Sequence, residues 1–166
     1  QDHYGGLAAV DTLARRAGVG ATSRVLDVCA GLGGPARFLA ARRGSVVVAL
    51  ELHAGRAAGA ARLNRMVGQT RVAVVRADAT SMPFAAGAFD ACVSQEALLH
   101  IADKPLVLAE CRRVLVRGGR LAFTDWIAFP GLADRERRRL WEWLAATTVQ
   151  TLDGYRELLG RASFTA

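Results

Sequence analysis

The stretch that decides the fold is LDVCAGLGGP, residues 26–35. It continues the short apolar run 24–28, which predicts a buried strand. The glycines behind this strand predict a tight turn in which the backbone can approach a ligand without a side chain in the way. Pro35 suits the first turn of a helix, because its missing N–H is not needed there. A helix that starts behind such a turn presents free backbone N–H donors to a ligand.

Acidic residues follow the next two predicted strands. Glu51 comes directly after the strand 45–50 and lies 20 residues beyond Gly31. That offset suits a carboxylate that accepts hydrogen bonds from both hydroxyls of a ribose. Asp78 and Ala79 follow the third strand, 71–75, where a base would lie across the strand ends. The pattern therefore predicts a site for an adenosine group.

The acid Asp27, at the edge of the glycine turn, bears on the identity of that ligand. NAD is one candidate, because Gly31, Gly33 and Ala36 loosely match the dinucleotide fingerprint. An acid at this turn would repel the anionic pyrophosphate of NAD and attract a cationic group. S-adenosylmethionine (SAM) carries an ammonium and a sulfonium, so we expect SAM as the cofactor. A turn whose glycines serve only the fold is the simpler alternative.

Strands and helices alternate regularly along the chain. Two further strands are predicted over 89–94 and 120–126, with glycines 118 and 119 forming the turn before the last one. The spacing of apolar residues predicts helices over 7–17, 35–43, 54–67, from the cap Asp103 to about 115, 134–148 and 152–161. This alternation predicts an α/β fold with a doubly wound, mostly parallel sheet, in one domain over residues 1–166.

Composition narrows the class of protein. The chain has 166 residues and a net charge of +7, and Lys104 is the only lysine among 22 basic residues. The arginines are spread along the chain rather than gathered with aromatic residues, so nucleic acid is not expected as a partner. No apolar run approaches the roughly 18 residues of a membrane helix. The three cysteines lack metal or disulfide spacing, which favours a reduced, cytoplasmic setting.

Four motifs, met in order, make nearly the whole chain resemble a class I SAM-dependent methyltransferase. They are the turn 26–39, the acids Glu51 and Asp78 after the next two strands, the segment 89–101 and the segment 114–121. The resemblance implies a Rossmann-like fold and SAM as cofactor. The cofactor-binding residues that it implies are Asp27, Ala30, Gly31, Gly33, Glu51, Leu52, Asp78, Ala79 and Ser94.

One departure from the family pattern is Cys29, which stands where that family most often has its first glycine. A small residue other than glycine can serve at this position if its φ angle stays negative. We therefore expect a negative φ at Cys29.

Two segments narrow the resemblance further. YGGL, residues 4–7, and SQEALLH, residues 94–100, are similar to the small-molecule amine N-methyltransferases that act on sarcosine, dimethylglycine or phosphoethanolamine. This resemblance implies that His100 is catalytic and takes the proton of the acceptor amine, because imidazole exchanges protons near neutral pH. A helix residue with a structural hydrogen bond is the other interpretation of His100. The substrate contacts expected are Tyr4, Gln95, Glu96 and Trp126.

Other functions stay open at this point. A C- or O-methyltransferase of the quinone-biosynthesis type would share the SAM half of the chain. A non-catalytic SAM-binding domain, completed by a partner, is a different class. A metal site is not predicted, because Asp125 is followed by Trp126 rather than by a second oxygen ligand, and the histidines share no ligand spacing.

The resemblance also predicts how many strands the complete sheet has. It implies a sheet of seven strands, and the chain offers five candidates. We therefore expect the last two strands to be lacking and the domain to be truncated at both ends. The fifth strand would then have an unpaired apolar edge, which invites pairing with another chain. Self-association through this edge is the expected consequence.

Overall fold

A computed structural model describes residues 4–165, which form five strands and six α-helices. His3, one of the three histidines without ligand spacing, lies outside the described residues. A short 3₁₀ helix, Leu98–His100, follows the fourth strand. The elements in chain order are α1 (Gly6–Arg16), β1 (Arg24–Val28), α2 (Gly34–Arg43), β2 (Val46–Glu51), α3 (Ala54–Met66), β3 (Val72–Arg76), β4 (Phe89–Gln95), α4 (Lys104–Val114), β5 (Leu115–Thr124), α5 (Asp134–Leu144) and α6 (Leu152–Arg161).

The five strands form one sheet in the order β3-β2-β1-β4-β5, and every pairing is parallel. The prediction of a doubly wound α/β sheet is therefore confirmed. Strand β1 lies in the middle, and the chain runs outward from it in both directions. All strands end at the same edge, so the switch point beyond β1 and β4 is the place where such sheets bind ligands.

The core has one apolar layer on each face of the sheet. Successive residues of β1 point to opposite faces of the sheet, as in any strand. Val25 packs with the residues of α1 and α2 on one face, whereas Leu26 and Val28 pack with those of α4 and α6 on the other. All three side chains are fully buried. The alternation places Asp27 on the face of Val25, under α1 and α2.

Strand β5 begins earlier than predicted. The expected start at residue 120 is wrong, because Leu115 already pairs with Phe89 of β4. The pairing is irregular between Phe89 and Ala91, and Arg120 is the partner of Ala91. The glycines predicted as a turn therefore lie in a bulge within the strand, where Gly118 has a φ of 79°.

Helix α5 ends earlier than predicted. It stops at Leu144 rather than at residue 148, because Ala145 adopts a left-handed φ of 51°. The N–H of Ala145 donates to the carbonyl of Trp141, and the N–H of Ala146 donates to that of Leu140. This closure usually takes glycine at its left-handed position. An alanine there gave no sequence signal for the end of the helix.

In the described part of the chain, β5 pairs with β4 alone, so it forms one edge of the sheet. Its predicted association with another chain stays a prediction. Among residues 4–165, no helix is both long enough and apolar enough to span a bilayer.

The expected negative φ at Cys29 is wrong. Its φ is 61°, and Gly31 and Gly33 are also left-handed, with φ values of 57° and 73°. Every second residue of the turn is thus left-handed, an arrangement that directs successive N–H groups toward one side. Cys29 adopts the backbone of a glycine, which costs a non-glycine residue about 1–2 kcal/mol.

We predict that Cys29→Gly is more stable than Cys29→Ala by about 1 kcal/mol, because both variants lack the sulfur and only glycine relieves the left-handed strain. Urea unfolding of the two variants measures this difference. If φ at residue 29 were negative, the order would reverse, since alanine loses less backbone entropy on folding than glycine.

Candidate functional site

A cleft of about 1080 Å³ lies beyond the carboxyl ends of the strands. Its volume is of the size that holds a cofactor together with part of a substrate. Its lining comes from the turn after β1, the end of β2, the start of α3, the end of β3, the segment after β4, and the end of α5 with the turn behind it. The predicted site residues among its lining are Gly31, Glu51, Leu52, Gln95, Glu96 and His100.

Glu51 is held at the bottom of this cleft by two backbone N–H groups. Its Oε2 accepts from the N–H of Gly31 at 2.8 Å, and its Oε1 accepts from the N–H of His53 at 2.8 Å. The side chain is only 6% exposed. Each carboxylate oxygen has a second lone pair. A pair of neighbouring hydroxyls, as on ribose, fits this acceptor.

Ala30 and Gly33, the other predicted residues of the glycine turn, support the cleft rather than line it. The N–H of Ala30 donates to the carbonyl of Leu50 at 2.9 Å, which extends the pairing of β1 with β2. Gly33 caps α2, and a Cβ added there would lie 3.4 Å from the Cβ of Ala60. Leu52 is 60% exposed on the cleft wall. Ala30 and Gly33 thus shape the turn that presents Gly31.

Cys29 lines the cleft beside Gly31. Burial raises the pKa of its thiol to about 12, and the negative charge of Glu51 adds to that effect. The thiol therefore stays protonated at neutral pH. A protonated thiol is a poor nucleophile, so the surroundings of Cys29 do not favour a reactive cysteine.

Asp27 is buried and does not line the cleft. It is 2% exposed, and within residues 4–165 its Oδ2 has no hydrogen-bond partner. Burial raises the pKa of this carboxyl to about 7, a backbone N–H of Ala36 opposes the rise, and the charge of Glu51 adds to it. The predicted attraction of a cationic ligand by Asp27 stays a prediction, and such a ligand would favour the ionised form.

Ser94 and Gln95 end β4 next to Asp27. Ser94 donates from Oγ to the carbonyl of Val28 at 2.9 Å, so it ties β4 to β1. Gln95 lines both the cleft and a small space shared with Asp27. Its Nε2 is buried and lacks a partner within the described chain. A donor and an acceptor without partners thus lie on the two sides of one small space.

Asp78 and Ala79 lie beyond the end of β3. Asp78 is exposed, and its Oδ1 accepts from both the N–H and the hydroxyl of Thr80 at 2.8 Å. Ala79 is 5% exposed. Neither is part of the cleft wall described above, so their contact with adenine stays a prediction. Arg76, the last residue of β3, does line the cleft, and the strand-end rule could have identified it.

His100 ends the 3₁₀ helix and lines the cleft opposite the glycine turn. Its Nδ1 lies 3.1 Å from the carbonyl oxygen of Ala145. A carbonyl oxygen only accepts hydrogen bonds, so Nδ1 carries the proton. The neutral imidazole then has its lone pair on Nε2, as a proton acceptor requires. His100 thus has a structural hydrogen bond and also lines the cleft, and its role as the proton acceptor stays a prediction.

Glu96 has a left-handed φ of 49° and joins three parts of the chain. Its N–H donates to the carbonyl of Thr124 at 2.8 Å, and its Oε1 accepts from the N–H of Tyr4 at 2.7 Å. The Tyr4 side chain itself is 85% exposed. The bond between Tyr4 and Glu96 places the start of α1 at the rim of the cleft.

Trp126 does not lie on the cleft wall. It lines a separate apolar cavity of about 180 Å³ together with Leu99, Phe129 and Leu140. The tryptophan that lines the cleft is Trp141 of α5, 55% exposed. The sequence places both Trp126 and Trp141 in the segment that would cover the site, and Trp126 was the predicted contact. A helical pattern does not show which aromatic residue faces a cleft.

The cleft also contains cationic groups that the sequence analysis did not assign. Arg56 of α3 and Arg76 line it near Leu52, and the Nε of Arg76 donates to the Leu52 carbonyl at 3.3 Å. His53 caps α3 by accepting from the N–H of Arg56 at 3.3 Å. Among the described residues, no group of three or more histidine, cysteine or acidic residues could hold a metal ion.

The chain belongs to the methyltransferase-domain family, whose model matches residues 26–123. The resemblance to class I SAM-dependent methyltransferases is therefore confirmed. The cofactor of this family is SAM.

Two relatives of this chain are named for different methyl acceptors. Sarcosine/dimethylglycine N-methyltransferase of Halorhodospira halochloris is 33% identical over 147 residues, which are 88% of this chain and 53% of that protein. 24-Methylenesterol C-methyltransferase 2 of rice is 38% identical over 105 residues, 63% of this chain and 29% of that protein. The chain thus spans about half the length of the first relative.

A solved structure shows the same fold. The crystal structure of a Galdieria sulphuraria protein, provisionally assigned as a sarcosine dimethylglycine methyltransferase, superposes with a TM-score of 0.85 at 27% identity. The superposition covers 94% of this chain and 61% of that one. The expectation of a Rossmann-like SAM-dependent methyltransferase fold is confirmed.

The buried carboxyl of Asp27 predicts a pH dependence of stability. Its pKa in the folded chain is about 7, above the unfolded value of 3.8. Between these values the folded state binds the proton more tightly, so ionisation of the unfolded chain lowers stability as pH rises. We predict that Asp27→Asn, which cannot ionise, gains on the order of 4 kcal/mol relative to wild type between pH 4 and 8.

Urea unfolding of both proteins at pH 4, 6 and 8 measures this gain. Asp90→Asn is the control, because Asp90 pairs with Arg24 and its pKa is lowered rather than raised. The difference between that variant and wild type stays nearly constant from pH 4 to 8, because a pKa below the ordinary 3.8 changes stability only in more acidic solution. A constant difference between Asp27→Asn and wild type at all three pH values would contradict the raised pKa.

Proposed function

We propose that this chain carries the SAM-binding and catalytic part of an enzyme that transfers the SAM methyl group to a small-molecule acceptor. The accepting atom that we propose is an amine nitrogen. The observation that carries the proposal is the shared cleft. Glu51, fixed by two backbone N–H groups, and His100, with its lone pair on Nε2, line the same cavity. Names of the N-methyltransferase relatives support the amine.

The residues present fit the cofactor. The carboxylate of Glu51 would accept from the two ribose hydroxyls, and Leu52 would cover one face of the base. Gly31 presents a backbone without a side chain at the cleft wall. The ionised form of Asp27 would favour the nearby ammonium group. Ala30, Gly33 and Ser94 support this site by holding the turn and the end of β4. Asp78 and Ala79 would contact the adenine, as the sequence predicts.

The chain's own residues then have few tasks in the reaction. Bound SAM supplies an electrophilic methyl group. The cleft wall must hold the acceptor in line with that group and exclude water. His100 accepts the proton of the acceptor amine at Nε2, and Ala145 fixes the ring through Nδ1. The aromatic face of Trp141 and the carboxylate of Glu96 attract an amine in its cationic form as it enters.

A carbon acceptor is the second candidate. The apolar cavity of about 180 Å³ lined by Trp126 shares Leu144 with the cleft wall, and all of its lining residues are apolar. A prenyl or sterol-like acceptor would place hydrocarbon there. The rice relative, named as a sterol C-methyltransferase, supports this alternative. An O-methyltransferase, and a non-catalytic SAM-binding domain, are further outcomes of the activity screen.

We also propose that the protein works in the cytoplasm without nucleic acid as a partner. All three cysteines, Cys29, Cys92 and Cys111, are free thiols, as a reducing compartment favours. Fractionation of the source cells, with a search for bound nucleic acid in the purified protein, tests both statements. Protein found in a membrane or extracellular fraction would contradict the first.

We predict that Glu51→Gln weakens SAM binding by about 1–3 kcal/mol, or about 5- to 150-fold, because the ribose hydroxyls lose a charged acceptor. Calorimetric titration with SAM gives this change directly. Asp90→Asn is the matched control, since it removes one negative charge at the opposite end of the sheet, where Asp90 pairs with Arg24. Equal SAM affinity in Glu51→Gln and Asp90→Asn would overturn the assignment of the cofactor site.

We predict that His100→Asn lowers turnover about 100-fold or more, the typical contribution of a general base, and leaves the Kd for SAM within about twofold. The assay measures S-adenosylhomocysteine release across a panel of small amines, phosphoamines, prenyl compounds and quinone precursors. Mass spectrometry of the product identifies the methylated atom. SAM binding without turnover on the whole panel favours the non-catalytic domain, and an undiminished rate in His100→Asn excludes the base.

A further inference from the structure

Lys104 is the chain's only lysine, and it is almost completely buried. It stands at the start of α4 and is 1% exposed. Its ammonium has three N–H donors, and each can have an acceptor here. Nζ donates to the carbonyl of Ile101 at 3.0 Å, to the carbonyl of Thr148 at 2.7 Å, and to the hydroxyl of Thr148. These hydrogen bonds offset the free-energy cost of burying a charged group.

These bonds join two segments that are distant in sequence. One is the segment 98–101, which contains the 3₁₀ helix, and the other is the turn 145–148 behind α5. Thr148 also donates from its N–H to the carbonyl of Leu99 at 3.3 Å, and from its hydroxyl to that of Ile101 at 3.2 Å. The Lys104 ammonium is the only charged group among these contacts of the described chain.

His100 lies between the same two segments. Its backbone belongs to the first, and the carbonyl that its Nδ1–H donates to belongs to Ala145 of the second. Ala145 is held in a left-handed conformation by the closure of α5. The position of that carbonyl therefore depends on how firmly the turn 145–148 is held against the segment 98–101.

The surroundings of Lys104 indicate why an ammonium is used. Burial lowers its pKa, whereas the nearby negative charge of Asp125 raises it. Asp125 itself accepts from the N–H of Leu99 at 3.3 Å and from the hydroxyl of Tyr155. An apolar side chain in place of Lys104 would leave the Thr148 carbonyl without this donor and would loosen the turn.

We propose that Lys104 is a positioning residue for His100: its ammonium holds the turn 145–148 against the segment 98–101 and so keeps the imidazole protonated on Nδ1, with Nε2 free. The proposal rests on the proposed function only for its effect on turnover. Its structural statement concerns the tautomer of His100, which is measurable without any acceptor.

The test compares Lys104→Met with Val107→Ala. Methionine keeps the length of the side chain and removes the donors. Val107 is fully buried on the same helix, and its truncation costs stability without touching the bonds of Lys104. Long-range ¹H–¹⁵N NMR spectra of the histidine rings report the tautomer, with the His100 signals assigned by their loss in His100→Asn. Calorimetry gives the Kd for SAM.

In wild type and Val107→Ala we expect His100 to carry its proton on Nδ1. In Lys104→Met we expect a mixture of the two tautomers, a Kd for SAM within about twofold, and a kcat lower by about 10- to 100-fold, as small misplacements of a reacting group cost. An unchanged tautomer in folded Lys104→Met overturns the proposal.

Two other outcomes are distinguishable from these. If the tautomer shifts and kcat stays constant, Lys104 positions His100 but His100 is not the base. The proposed catalytic role of His100 then fails, while its positioning by Lys104 stands. If Lys104→Met does not fold, Thr148→Val takes its place, because it removes one acceptor of the ammonium and keeps the other two, the carbonyls of Ile101 and residue 148. A Nδ1–H tautomer that is unaltered in Thr148→Val then overturns the proposal.

Discussion

The carboxylate of Glu51 joins the ends of two parallel strands, and the shape of the cofactor cleft depends on this bridge. One oxygen holds the N–H of Gly31 in the turn after β1, and the other holds the N–H of His53 just after β2. A charged acceptor of two N–H donors makes hydrogen bonds stronger than those between neutral groups. It thereby fixes a turn that is strained at Cys29.

The opposite wall of the cleft is organised by a second buried charge. Lys104 ties the segment after β4 to the turn behind α5, and His100 lies between the two. Each wall thus contains one buried ionic group, Glu51 or Lys104, whose hydrogen-bond partners are mainly backbone atoms. Such contacts depend little on side-chain substitution elsewhere, so both walls can keep their shape when a cleft-lining side chain such as Trp141 is replaced.

The sequence allowed us to predict which residues lie close together where this follows from the pairing of neighbouring strands. The offset between Gly31 and Glu51 predicted that both belong to one ligand site. They lie close together because Gly31 follows β1 and Glu51 ends the neighbouring parallel strand β2. Backbone conformation was not predictable in the same way. A cysteine gives no sign of a left-handed φ, and neither does Ala145, since both are imposed by contacts made elsewhere in the fold. Trp126 and Trp141 line two different cavities, which depends on tertiary packing that a sequence pattern does not show.

The central claim is that the Glu51 carboxylate receives the ribose hydroxyls of the cofactor while it remains bonded to Gly31 and His53. The most direct measurement is a thermodynamic cycle with S-adenosylhomocysteine and its 2′-deoxy analogue on wild type and Glu51→Gln. The account predicts that loss of the 2′-hydroxyl weakens binding to wild type about tenfold and binding to Glu51→Gln far less, because the two groups interact. Equal losses in both proteins would show that the carboxylate and the hydroxyl do not meet, and would contradict the account.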